Sequence, residues 1–275
     1  MSAHALPALF ISHGAPLFAI EPGETGPALT RWARALTETR GQELRGVVIM
    51  SPHWMTRTPA VMTNPAPATW HDFGGFPQAL YALQYPAPGS PELGREVLGL
   101  LQEAGIEAQG DDRRPLDHGA WVPLMHLLPQ AQVPVVQVAL PMSYGPAETY
   151  AMGRALRGLR ERGVLVIGSG SMTHNLAEFF GGAREPAPYV VEFSRWVESA
   201  LARGDLSALL DYRRQAPHAQ RAHSSEDHFL PIFFALGAAE WGGPQGARPD
   251  YLSREVMYSM LAMDTFALSA PLAAP

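Results

Sequence analysis

The chain has 275 residues, of which 47% are hydrophobic and 17% charged, and its formal net charge is −6. These values are ordinary for a folded globular protein with a substantial core, and they argue against disorder. There is no cysteine and no lysine, so all 20 basic side chains are arginines. The composition therefore excludes a catalytic cysteine, a thiolate metal site, a disulfide, a Schiff-base lysine and a lysine-containing phosphate loop.

The arginines are scattered along the chain and form no basic stripe, so we expect no nucleic-acid partner. The segment Met1–Ala8 has no cationic leader, and no apolar run approaches the roughly 18 to 20 residues that span a membrane. We therefore expect a cytoplasmic protein without a membrane partner. The oligomeric state stays open.

Four short apolar runs rich in β-branched residues predict buried, parallel strands. They are Ala8–Ser12, Val47–Ser51, Val133–Leu140 and Val164–Ser169. Helical patterns alternate with them or follow them, at Pro27–Arg40, Pro91–Ala104, Gly119–Leu128, Pro146–Arg162, Tyr189–Arg203 and Phe229–Ala239. The clearest is Pro91–Ala104, where Ser90 is the N-cap and Gly105 ends the helix. This order predicts one α/β domain over residues 1–275, a sandwich with a largely parallel central sheet flanked by helices.

Three histidines come after predicted strands. His13 follows the first strand, His53 follows the second, and His174 lies five residues beyond Val164–Ser169. In open α/β sheets, ligands bind in the crevice at the carboxyl ends of the strands. We therefore expect these imidazoles to meet there, in a metal or acid–base site.

Two more histidines belong to this set. His118 opens a predicted helix, and His228 is expected at a helix N-terminus because Pro231 is tolerated only in a first turn. The separations along His13, His53, His174 and His228, which are 40, 121 and 54 residues, match no local metal motif, so spacing alone is a weak signal. We assign His4, His71, His126 and His218 to packing, loops or the surface.

Six motifs together resemble one known family. They are Ser-His-Gly-Ala-Pro at 12–16, Ser-Pro-His-Trp at 51–54, Thr-Trp-His-Asp-Phe-Gly-Gly-Phe-Pro at 69–77, Leu-Asp-His-Gly-Ala-Trp-Val-Pro-Leu at 116–124, Gly-Ser-Gly-Ser-Met-Thr-His-Asn-Leu at 168–176 and Glu-Asp-His-Phe-Leu-Pro at 226–231. In this order they resemble the 4,5-DOPA extradiol dioxygenases, class III extradiol ring-cleavage enzymes of the LigB-like superfamily. One departure is Ser224-Ser225, where many members have a proline and a small residue.

The resemblance implies a non-haem Fe(II) enzyme that inserts O2 into a catechol such as DOPA and forms a semialdehyde. By motif, His13, His53 and His228 would hold the metal, and His174 would be a fourth ligand or the acid–base residue. His118 would face the substrate and assist the proton transfer.

Several alternatives stay open. Non-haem iron sites often use a carboxylate, so Glu226 competes with His228; we favour His228, with Glu226 or Asp227 orienting it. Zinc also suits a histidine cluster, which leaves a zinc-dependent hydrolase with Glu226 as general base as a second hypothesis. A metal- or phenol-binding protein without turnover is a third. An apolar wall for the substrate ring is expected from Trp54, Trp70, Phe73 and Phe76.

Overall fold

The computed structural model describes residues 5–40, 44–178, 185–242 and 249–269. Its strands are β1 (Ala8–Ser12), β2 (Gly46–Thr56), β3 (Ala60–Met62), β4 (Gln109–Asp111), β5 (Val135–Pro141), β6 (Val164–Gly170), β7 (Asp250–Ser253), β8 (Val256–Met257), β9 (Leu261–Ala262) and β10 (Thr265–Leu268). Its helices are α1 (Thr25–Arg40), α2 (Gln78–Tyr81), α3 (Pro91–Glu103), α4 (His118–Leu127), α5 (Pro146–Ala155), α6 (Pro188–Arg203), α7 (Leu206–Leu210), α8 (Tyr212–Gln215), α9 (Ala219–Ala222) and α10 (Pro231–Ala238). Short 3-10 helices cover Pro16–Ala19, Arg157–Arg162 and Leu176–Glu178.

The main sheet has the strand order β4-β3-β5-β2-β6-β1-β10-β7. The four central strands, β5, β2, β6 and β1, are parallel to one another. Antiparallel pairs flank this centre, with β3 on β5 at one side and β10 on β1 at the other. The α/β fold with a largely parallel central sheet is therefore confirmed, and the antiparallel edges are an addition to it.

The central strands form the core because almost every residue in them is apolar. All residues of β1, β5 and β6 are buried. The helix α10 is apolar all round and also fully buried, since it packs between α5 and β6. On another side, α4 packs against β2 and α1. Among the described residues, no helix combines the length and the apolar character that crossing a bilayer requires.

Most predicted elements have nearly the predicted bounds. In α3, the Ser90 hydroxyl accepts a hydrogen bond from the Leu93 amide at 3.1 Å, and Gly105 has the left-handed φ of +76° expected after a helix. The prediction over Pro146–Arg162 was wrong in one respect, because the α-helix ends at Ala155 and a 3-10 helix follows. The helix predicted from Phe229 begins at Pro231.

A correction also concerns His53, which was predicted to follow its strand but lies inside β2. The pairing of β2 with β5 is regular up to Met50, opposite Val138, and resumes at Met55, opposite Leu140. Four residues of β2 therefore stand opposite a single residue of β5, and His53 is one of the four. Such a bulge re-aims side chains at the end of a sheet.

Candidate active site

Three of the predicted histidines meet at the carboxyl edge of the central strands. His13 directly follows β1, His53 lies in the bulge of β2, and His228 precedes α10. The Nε2 atom of His53 is 3.2 Å from Nε2 of His13 and 3.3 Å from Nε2 of His228. Two nitrogens that bind one first-row metal ion at about 2.1 Å lie about 3.0 to 3.4 Å apart. These separations therefore fit a shared metal ion.

Hydrogen bonds at the far side of two of these rings support the same conclusion. The Ser169 hydroxyl donates to the Gly119 carbonyl at 2.5 Å, so it accepts from Nδ1 of His13, 3.0 Å away. Nδ1 of His228 donates to the Asp227 carboxylate at 2.8 Å. In a neutral ring, the Nε2 atom of each residue is then an unprotonated acceptor. His53 has at most one Nε2 hydrogen, so it cannot donate a hydrogen bond to the Nε2 atoms of both His13 and His228. A cation bound by all three nitrogens would satisfy them.

Burial keeps the three rings in the neutral form that binds metals. Desolvation lowers the pKa of His13 and His228 well below the usual value, and the neighbouring imidazoles lower both further. The pKa of His53 is lowered to about 4, mainly by burial and then by His118. These ligands therefore do not need to lose protons at neutral pH before they bind a metal.

His174 and His118 lie beside the three-histidine group. The ring of His174 stacks on that of His228, with centroids 3.7 Å apart and planes 4° from parallel. His174 is not in the group whose ligand atoms lie within 4.8 Å of one another. The ring centroid of His118 is 3.9 Å from that of His53, and its Nδ1 atom is 3.0 Å from the Asp72 carboxylate.

A cavity of about 350 Å³ opens in front of these rings. It is lined by Gly14, Ala15, Pro16, His53, Phe73, Phe76, His118, His174, Leu176, His228 and Leu261. Its lining is mostly apolar, and the histidines gather at one part of it. The cavity therefore suits a flat aromatic molecule that presents polar groups to the histidines.

Only half of the expected aromatic wall lines this cavity. Phe73 and Phe76 are among the lining residues, and they pack edge to face at 5.5 Å. Trp54 and Trp70 are not among them and hold the Arg114 guanidinium instead, at 4.8 and 5.0 Å from their ring centroids. That guanidinium donates to the His53 carbonyl at 3.2 Å, so the two tryptophans support the bulge of β2.

The carboxylates next to His228 have different partners. Asp227 accepts the hydrogen bond from His228. Burial acts to raise the pKa of Asp227, but this bond, the charge interaction with His228 and further hydrogen bonds from Ser225 and the backbone together lower it. Glu226 accepts from the Tyr212 hydroxyl at 3.0 Å and does not line the cavity. The carboxylate that orients His228 is therefore Asp227.

The remaining histidines have partners away from the three-histidine group. Nε2 of His71 is 3.0 Å from the Leu83 carbonyl, Nε2 of His126 is 2.9 Å from that of Phe18, and His218 pairs with Glu192. His4 lies outside the described residues. The structure thus gives His71, His126 and His218 the packing, loop and surface surroundings expected for them.

The sequence analysis assigned no role to two polar residues at the site, although both lie inside the six motifs. Asp72 belongs to the motif at 69–77, but its role could not be read there, because its partner His118 is 46 residues further on. Asp117 is fully buried and its carboxylate bonds to both Arg114 and Gln137. Only the N-cap position ahead of α4 hints at Asp117, whose carboxylate also accepts from the Ala120 amide.

Gly119 allows the close approach of α4 to the three-histidine group. A Cβ atom there would lie 2.2 Å from the Ser51 hydroxyl and 2.8 Å from Cδ2 of His53. We expect Gly119→Ala to weaken metal binding by about 10- to 100-fold, as displaced supporting contacts do. A metal titration followed by calorimetry measures this. The matched control is Gly99→Ala in α3, where a Cβ would meet nothing within 4 Å; equal affinity in both variants would contradict the prediction.

His223 makes the fold sensitive to acid. It is fully buried, its Nε2 is 2.9 Å from the Met172 carbonyl, and burial lowers its pKa to about 3. Below the unfolded pKa of about 6.5, this histidine binds a proton in the unfolded chain but stays neutral in the folded chain. The free energy of unfolding therefore decreases as the pH is lowered. Between pH 6.5 and 5 we expect the free energy of unfolding to fall by about 2 kcal/mol more in the wild type than in His223→Gln. Urea unfolding of both proteins tests this, and equal pH slopes would count against it.

Comparison with known proteins identifies the family of the chain. Residues 7–262 match the family described as the catalytic LigB subunit of aromatic ring-opening dioxygenase. The chain belongs to the LigB family. A relative of this LigB protein in Beta vulgaris, named 4,5-DOPA dioxygenase extradiol, is 38% identical over 232 residues, which are 84% of this chain and 85% of the relative. An Escherichia coli K12 protein of the same name is 35% identical over 258 residues, 89% of each chain.

The fold of the LigB chain is also found among solved structures. The crystal structure of an uncharacterized protein from Escherichia coli K12 matches it with a TM-score of 0.77 and 26% sequence identity, over 96% of this chain and all of the other. The resemblance deduced from the six motifs is confirmed, and so is the prediction of an extradiol dioxygenase. Family and histidine cluster together indicate a metal cofactor.

Proposed function

We propose that this protein is an Fe(II)-dependent extradiol dioxygenase that cleaves the ring of a catechol such as DOPA to give a semialdehyde. The observation that carries the proposal is the group of three Nε2 atoms, 3.2 and 3.3 Å apart, beside an aromatic-lined cavity. Relatives named 4,5-DOPA dioxygenase extradiol support DOPA as the catechol. We take residues 1–275 as one catalytic domain.

His13, His53 and His228 are the proposed metal ligands. Zinc has no redox chemistry, whereas ring opening consumes O2, so iron is the metal proposed for the active enzyme. When bound, an Fe(II) ion would lower the pKa of the two catechol hydroxyls and hold O2 close to the ring. Because the three proposed ligands are neutral, they would not offset the positive charge of a bound Fe(II) ion, which would then attract an anionic catechol.

The other residues of the cavity bind the ring and move protons. Phe73, Phe76 and Leu261 offer an apolar surface for the ring. His174 borders the cavity, and burial lowers its pKa, so it is a neutral base at pH 7. We assign it the transfer of the second hydroxyl proton and its later return, with His118 assisting. Stacked on His228, His174 is held next to the ligands.

Zinc hydrolysis is the weaker alternative. Its general base would have to be Glu226, whose carboxylate is engaged by Tyr212 and lies outside the cavity lining. No observation at the site favours it over ring cleavage.

One experiment separates these functions. The metal-free protein is loaded anaerobically with Fe(II) or Zn(II), then mixed with DOPA or other catechols and O2. We expect oxygen uptake and a yellow semialdehyde with iron only. No uptake with iron across the catechol panel would refute the proposal, and ester or amide hydrolysis with zinc alone would replace it.

A further inference from the structure

Asp72 contacts His118 through both of its carboxylate oxygens. Oδ1 accepts a hydrogen bond from the His118 backbone amide at 2.8 Å, and Oδ2 lies 3.0 Å from Nδ1 of the same residue. Both side chains are 8% exposed. Oδ1 faces a backbone amide, which can only donate, and the ordinary pKa of an aspartic acid leaves this carboxyl ionised at neutral pH. An ionised carboxylate has no hydrogen to donate, and Nδ1 of His118 must therefore be the donor.

This hydrogen bond decides where the proton of the His118 ring resides. With Nδ1 protonated, Nε2 on the opposite edge of the neutral ring is an acceptor. His118 borders the cavity. A catechol hydroxyl in the cavity could donate a hydrogen bond to Nε2 of His118. In the other tautomer Nε2 carries the hydrogen, and this N–H would face the hydroxyl as a donor.

The same carboxylate also fixes the surrounding wall. Phe73, the next residue after Asp72, packs edge-on against the His118 ring, with centroids 5.6 Å apart. His118 in turn is the first residue of α4, so Asp72 ties the loop that carries the aromatic wall to this helix. The position of the ring-binding surface and the tautomer of His118 thus depend on one residue.

From these contacts we infer that Asp72 is a positioning residue, which holds His118 in the Nδ1-protonated tautomer so that Nε2 accepts a hydrogen bond from a substrate hydroxyl. The inference rests on the proposed function for the identity of the substrate. Its structural part, the tautomer, concerns only residues of this chain.

A second metal ion is the competing explanation for this pair. Ligand atoms of His53, Asp72 and His118 also lie within 4.8 Å of one another. However, Nδ1 of His53 is 3.8 Å from Asp72, beyond hydrogen-bond distance, whereas both carboxylate oxygens of Asp72 already face polar groups of His118. We therefore favour the hydrogen-bonded pair.

Asp72→Asn tests the inference, because an amide can present an NH2 group to His118 where the carboxylate presents an acceptor. We expect the proton to move to Nε2, which nitrogen-15 NMR of the metal-free protein detects as a change of tautomer. In the iron-loaded enzyme we expect kcat to fall about 100-fold or more, with KM within about 3-fold and one metal ion per chain. Asp72→Glu, which keeps a carboxylate, should restore part of kcat. Asp112→Asn, at an exposed position, is the matched control and should change nothing.

Several results would overturn the inference. One is an Asp72→Asn variant with kcat within 2-fold of the wild type, and another is a His118 ring that stays protonated at Nδ1 in that variant. Binding of two metal ions by the wild type and one by the variant would make Asp72 a ligand. If the wild type cleaves no catechol at all, the proposed function fails while the NMR measurement still decides the tautomer.

Discussion

His13→Ala should yield a folded protein that no longer binds a stoichiometric metal ion and no longer consumes O2 with any catechol. His13 is 1% exposed, and its Nε2 atom lies 3.2 Å from Nε2 of His53, which is 3.3 Å from Nε2 of His228. Loss of one ligand should weaken metal binding by more than the roughly 100-fold that loss of a supporting contact causes. Metal content after dialysis, measured by plasma mass spectrometry, checks this.

His53→Ala should behave in the same way, since its Nε2 lies between the other two. His218→Ala is the control, because His218 is exposed and pairs with Glu192 at the surface. Stoichiometric metal in both His13→Ala and His53→Ala would show that the site lies elsewhere.

His174→Ala should separate metal binding from turnover. His174 stacks on His228 but lies outside the group of three proposed ligands. If its task is proton transfer, the variant should keep one metal ion per chain and lose about 10²- to 10⁴-fold in kcat. Anaerobic metal titration and single-turnover oxygen uptake measure the two quantities.

Complete loss of metal in His174→Ala would instead make this residue a ligand. A kcat close to the wild-type value would remove it from the chemistry. His126→Ala tests whether a change in any partly buried histidine produces the same loss, because His126 contacts the Phe18 carbonyl and does not line the cavity.

The central strands could be predicted because their apolar runs are buried on both faces. The run Ala8–Ser12 gave the bounds of β1 without error, and the runs for β2, β5 and β6 located the other parallel strands. The two strands at one side of the sheet, β3 and β4, are too short for a periodic signal, because they have three residues each. They are held by pairing with neighbouring strands and by α3, which packs against both.

At the site, the residue types were predictable but the partners were not. Strand ends placed His13 and His53 at one edge of the sheet, but a bulge aims His53, and no local pattern encodes it. The choice of His228 over Glu226 rested on helix geometry. Both residues lie in a turn before α10. The direction of each side chain there depends on its hydrogen-bond partner, which is Tyr212 for Glu226 and Asp227 for His228.

The three proposed ligands lie far apart along the chain. His53 follows His13 by 40 residues and precedes His228 by 175. An ion bound to all three would act as a cross-link between the first strand and the last buried helix, and it would bind only the folded chain. Because such binding stabilises the native state by mass action, the melting temperature should rise with free metal concentration, even for a metal that supports no turnover.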